Sequence, residues 1–169
     1  FNVKKTANAT CKLYFVNAEY NVTLNITNGL LDEDTITTVN SNADGVFKIN
    51  ANEGYTYETT ICTNEEEVVW DELTQELTVK TVASDISCDV KFKIKEYEVE
   101  VSVTNGRGEP KETKKVVQHN KEFSSTITAS PGYGEPKITC NNIDLGQSVT
   151  PGTWENNKYT MPSIKSNVE

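Results

Sequence analysis

One short pattern occurs twice in this chain, and the duplication constrains the fold more than any other feature. Tyr20-Asn-Val-Thr-Leu-Asn-Ile-Thr-Asn-Gly29 returns as Tyr97-Glu-Val-Glu-Val-Ser-Val-Thr-Asn-Gly106, an offset of 77 residues from Tyr20 to Tyr97. Apolar residues at every second position are the mark of a half-buried strand. Tyr97, Val99, Val101 and Val103 then share one face, and Glu98, Glu100 and Ser102 share the other. Asn-Gly closes each copy with a turn, since both residues tolerate positive φ.

The same period runs through the rest of the sequence. Gly54-Tyr55 returns as Gly132-Tyr133, and Ile61-Cys62-Thr-Asn as Thr139-Cys140-Asn-Asn, both at an offset of 78 (54 to 132, 62 to 140). Trp70-Asp-Glu and Trp154-Glu-Asn each precede a further alternating run, Leu77-Thr-Val79 or Tyr159-Thr-Met161. Cys11-Lys-Leu-Tyr-Phe15 matches Cys88-Asp-Val-Lys-Phe92. Residues 1–15 therefore read as the closing strand of a neighbouring unit, 16–94 as a complete unit, and 95–169 as a second unit without its closing strand. Either the chain is a window of a longer tandem array, or residues 1–15 of one molecule complete residues 95–169 of the next. A head-to-tail contact of the second kind propagates into a filament unless it closes a ring.

The expected architecture is all-β: two small antiparallel β-sandwich units in tandem with an extra N-terminal strand. β-Grasp-like units are the alternative, which a helix between strands would favour. Many Thr and Val residues and no apolar period of 3.6 leave little room for helix. Tyr55, Trp70, Tyr133 and Trp154 are expected in the cores, in preference to exposed sugar-stacking platforms. The linkers Phe15-Val-Asn-Ala-Glu-Tyr20 and Phe92-Lys-Ile-Lys-Glu-Tyr97 contain no Gly, Pro or Ser spacer, so neighbouring units should pivot little.

The four cysteines fit the same scheme. Cys62 and Cys88 fall in one unit and are expected to be bonded, which stabilises by roughly 4 kcal/mol on the chain-entropy model. Cys11 and Cys140 remain as inter-unit candidates, pairing with each other across molecules or with cysteines of flanking repeats. Disulfides place a protein outside the reducing cytosol. Zinc fits poorly, with no Cys-x-x-Cys and a single His, so no metal or other cofactor is expected.

Other local features carry less. Asn40-Ser-Asn42-Ala-Asp44-Gly45 has the opening of a calcium loop, but Ala51 stands where a bidentate Glu belongs, so a polar hairpin turn is expected. Asn8, Asn21 and Asn25 head Asn-x-Thr sequons and are candidate glycosylation sites. His119 has no nucleophile pattern beside it, and no catalytic constellation is found, so an enzyme is not expected. The formal charge of −9 argues against nucleic acid as a partner. No apolar run approaches a membrane span.

Taken together, the unit (alternating strand, Asn-Gly, alternating strand, Gly-Tyr, Cys-x-Asn, Trp hairpin, Cys-x-Val-x-Phe) resembles the tandem β-rich repeats of secreted bacterial surface proteins and of phage fibre or virion proteins. These include immunoglobulin-like repeats and modules of the internalin B-repeat type. The resemblance implies a structural module of an extracellular fibre, filament or stalk, on a cell surface or virion, with copies of itself or flanking repeats as partners. A module that binds carbohydrate or a host protein through its loops is the alternative.

Overall fold

The computed structural model describes residues 12–109 and 114–169. Among these the regular structure is all strand, with no helix. Eight strands build the N-terminal half: β1 (Glu19–Thr27), β2 (Gly29–Leu31), β3 (Thr38–Asn40), β4 (Ala43–Ala51), β5 (Tyr55–Cys62), β6 (Val68–Asp71), β7 (Glu76–Val82) and β8 (Ile86–Ile94). They form two four-stranded sheets, ordered β3-β1-β8-β5 and β2-β4-β7-β6. Alternation decides which side chains meet between the sheets. In β8 the side chains of Ile86, Cys88, Val90 and Phe92 point inward and are buried, while Asp89 and Lys91 face solvent. Phe47, Ile49, Leu77 and Val79 oppose them from the other sheet and are fully buried.

All pairings in this half are antiparallel except one. β1 runs parallel to β8, with Val22 facing Ile86, Leu24 facing Cys88 and Ile26 facing Val90. Parallel neighbours cannot be joined by a hairpin, so the whole of 28–85 lies between them and closes the sandwich. This departs from the purely antiparallel expectation. Cys62 and Cys88 face one another on β5 and β8 and are disulfide-bonded.

In the C-terminal half β9 (Glu96–Glu100) pairs with β11 (Lys114–Gln118), and β10 (Gly106–Glu109), β12 (Phe123–Ala129), β14 (Lys158–Met161) and β13 (Thr153–Glu155) make a sheet in that order. Corresponding pairs occur in both halves. Tyr20 faces Val39 and Tyr97 faces Val117; Gly29 faces Ala51 and Gly106 faces Ala129; Trp70 faces Leu77 and Trp154 faces Tyr159. A second core collects Val99, Val117, Phe123, Tyr159, Met161, Ile164 and Val168.

One expectation needs correction. Tyr133 is not a core residue but 57% exposed. Its counterpart Tyr55 pairs with Ile94 of β8, whereas residues 130–140 belong to no strand and 131–137 are exposed. Tyr55, Trp70 and Trp154 do pack, half-buried, against their cores. Residues 1–11, with Asn8 and Cys11, lie outside the described residues; residues 12–15, the rest of the segment expected to close a preceding or neighbouring unit, are in no strand of this chain and are exposed.

Candidate functional site

The two halves meet at a junction built from very few residues. Lys95 alone separates β8 from β9, and both its backbone groups are bound. Its N–H donates to the Gly54 carbonyl at 2.7 Å, and its carbonyl accepts from the His119 N–H at 2.9 Å. Gly54, at φ +81°, lies so close to the His119 ring that a side chain there would collide with it. His119 is buried, with Nδ1 3.3 Å from the Tyr97 hydroxyl. Its Nε2 stands 3.8 Å from Glu53 Oε1, too far for a hydrogen bond, and has no other partner. Lys165 Nζ donates to the same Glu53 oxygen at 3.1 Å. That bond, with the charge of Lys165 and then of His119, holds the Glu53 carboxyl below its ordinary value of 4.5.

The more distinctive feature is a cavity of about 480 Å³ in the C-terminal half. It lies between residues 101–104, which follow β9, and residues 136–141; Ile127, Tyr159 and Met161 form its floor. Val101, Val103 and Ile138 turn apolar side chains toward it and are only half-buried. Among the described residues, no backbone–backbone hydrogen bond reaches 101–104 or 136–139. Such groups are ordinarily paired in a sheet, so this is an open strand position.

The mouth of the groove shows what fits it. Val168 sits parallel to Val99, its N–H donating to Glu98 O at 2.9 Å and its carbonyl accepting from Glu100 N at 2.8 Å. Glu169 and Asn141 exchange two backbone hydrogen bonds at 3.0 Å. In the N-terminal half, Ile86 sits parallel to Val22 in the same manner, and Thr63 N donates to Ser87 O at 3.0 Å. Val168 and Glu169 thus hold the places that Ile86 and Ser87 hold at the start of β8. In the N-terminal half β8 then continues with Cys88, Val90 and Phe92.

Cys140 lies at this point, buried and with a free thiol. Its Sγ is 3.1 Å from the Tyr159 hydroxyl, which accepts from Gly152 N at 3.3 Å. Burial, and then the contact with Cys140, push the Tyr159 hydroxyl far above the ordinary value of 10. Cys62, at the corresponding place, is bonded to Cys88.

The remaining candidates are placed as follows. Asn21 and Asn25 are exposed on one face of β1. The Asn25 amide is engaged, donating to Ser87 Oγ at 3.1 Å and Asp89 Oδ1 at 3.0 Å. Within 40–45, Asn40 ends β3 and Ala43, Asp44 and Gly45 open β4, so the hairpin turn is Ser41-Asn42, with Asn42 at φ 62°. Asp44 is used within the fold, accepting from Lys80 Nζ at 2.8 Å and Thr81 N at 3.0 Å. No group of three or more His, Cys, Asp or Glu residues suited to a metal occurs among the described residues, and no helix there is long and apolar enough to cross a membrane. Tyr159 and Val168 were not singled out from the sequence. Tyr159 reads there as one more inward strand residue, and Val168 has meaning only once β1 and β8 are known to run parallel.

Comparison with family models, with curated proteins and with solved structures gives no match.

Proposed function

We propose that this chain is a structural repeat module of an extracellular fibre, filament or stalk, on a cell surface or virion. In this reading residues 16–94 and 95–169 are two copies of one immunoglobulin-like unit, related by the repeat and by their matching strand registers. One observation carries it: β8 passes into β9 through Lys95 alone, and that residue's N–H and C=O are both bonded to neighbouring turns. Serial units joined without slack transmit force and orientation, which is what a stalk requires. The Cys62–Cys88 bond fits an oxidising compartment. Electron microscopy of the native material tests the reading. Thin rods with a periodic repeat support it; compact particles one or two units long overturn it.

A second reading is favoured by exposed Tyr133, with Leu145 also exposed in the same 130–152 region. An adhesin module would present such side chains to carbohydrate or a partner protein. Glycan binding that is lost in Tyr133→Ala supports this alternative, and unchanged binding rejects that contact.

A further inference from the structure

We propose that the outward face of the β2-β4-β7-β6 sheet is an interface with a second copy of this chain. The two faces pack about a two-fold axis that runs along the row Val46-Thr78-Val69. This contact stands whether or not the fibre reading holds.

Strand register sets the row. Thr78 lies opposite Val46 on one side and Val69 on the other, and alternation turns all three away from the core that Phe47, Leu77 and Val79 fill. Val46 is 52% exposed and Val69 47%. The fold itself does not require valine at these places. At the matching registers of the C-terminal half, Thr160 lies between Ser124 and Thr153. Both halves build this ladder, yet only the first makes the row apolar.

The charges flanking the row say what covers it. Two residues away on one side lie Asp44 and Lys80, bonded at 2.8 Å. Two residues away on the other lie Lys48 and Glu76, opposite each other in the ladder. Among the described residues, neither Lys48 nor Glu76 forms an ion pair. A two-fold axis along the row sets each strand against its own copy, running the other way. Val46 then meets Val46, Asp44 meets Lys48, and Lys80 meets Glu76, each charge contact being made twice. A contact between identical faces needs this self-complementarity. On β6 the same operation brings Glu67 toward Asp71, both exposed at the sheet edge, where salt screens their repulsion.

The size of the face sets the strength. Four strands about 4.8 Å apart, with the nine residues of β4 along them, bound roughly 500 Å². Two such faces bury about 1,000 Å², the lower end for a specific interface. The dimer is therefore weak and concentration-dependent.

Sedimentation equilibrium of the full chain, with reductant present so that no disulfide links copies, tests the contact. A monomer–dimer equilibrium is expected. Val46→Glu sets a charge against itself on the axis and should weaken association at least about tenfold. Ser124→Glu, at the matching place in the C-terminal half, should leave it unchanged. Glu76→Lys and Lys80→Glu each set like charges face to face, so neither variant should associate alone. Their equimolar mixture restores opposite charges at both contacts and should dimerise. Thermal midpoints confirm that each variant is folded. A chain that stays monomeric at about 1 mM overturns the proposal. Association that survives Val46→Glu overturns it too, since the copies then meet elsewhere. Folded Glu76→Lys and Lys80→Glu chains that stay monomeric when mixed overturn the axis.

Discussion

Gly45 is fixed by its surroundings. A Cβ there would approach Phe47 to 2.7 Å and Val39 to 2.9 Å, both side chains being buried in the core. We expect Gly45→Ala to destabilise by about 1–3 kcal/mol, the usual cost of overpacking, read as a lower thermal midpoint. Nearby, Asp44 accepts the N–H of Thr81, which adopts φ 50° at the irregular step of the β4–β7 ladder. Asp44 is thereby a structural residue, although its spacing looked like that of a calcium ligand. Tyr159 offers a second check at this scale. Its hydroxyl is raised above 10, so the folded state resists ionisation, and stability falls once pH rises past the ordinary phenol value. Ultraviolet titration of the folded chain should show one tyrosine ionising well after the others. If all seven ionise together near pH 10, the buried contact with Cys140 is wrong.

At the scale of strands, the disulfide offers the sharpest measurement. Cys62 and Cys88 are 26 residues apart, and their bond ties β5 to β8 within one sheet. Replacing both by Ser should lower stability by roughly 3–4 kcal/mol, measured by denaturant unfolding; an unchanged midpoint would deny the bond a stabilising part. Much of this level was legible in the sequence. Strict alternation in residues 20–26, 47–51 and 86–92 gave the strands and their inward faces, because a two-residue period allows only one burial pattern. The Tyr133 error has a local cause: Gly-Tyr predicts a turn in both copies, but burial depends on a neighbouring strand that is present only beside Tyr55. Tyr57 escaped notice although its ring stacks on Trp70 at 4.9 Å and meets Phe92 edge-on at 6.0 Å. It lies next to the bulge between Tyr57 and Thr59, where simple alternation breaks down. The groove was legible only as a missing strand. Its walls, floor and register needed the parallel β1–β8 pairing, which periodicity does not encode.

For the molecule as a whole, the junction governs how the halves are held. The carboxyl of Glu53 is held below 4.5 by Lys165, so its contribution is present above that value and fades as pH falls through the lowered one. Amide exchange at Lys95 and His119, corrected for intrinsic rates, should therefore quicken in acid, and Glu53→Gln should quicken it at pH 7. Gly54→Ala should loosen the same amides more, since its side chain would strike the His119 ring and its φ of +81° is unfavourable for Ala. Exchange indifferent to all three changes would mean that these contacts do not hold the junction.

The parallel pairing of β1 with β8 also decides how the N-terminal half bears a load. Tension along the chain enters at the start of β1 and leaves at the end of β8, so it slides the two strands past each other. The six residue pairs from Val22–Ile86 to Thr27–Lys91 are then strained together, not peeled apart one after another. Pulling single molecules should show a rupture force well above that of a strand pair unzipped from one end, and a low, gradual force would refute this loading geometry. Once the pair gives way, the Cys62–Cys88 bond carries the strain directly from β5 to β8. The chain between those cysteines never lengthens, and the half yields by a fixed, limited stretch before it stops.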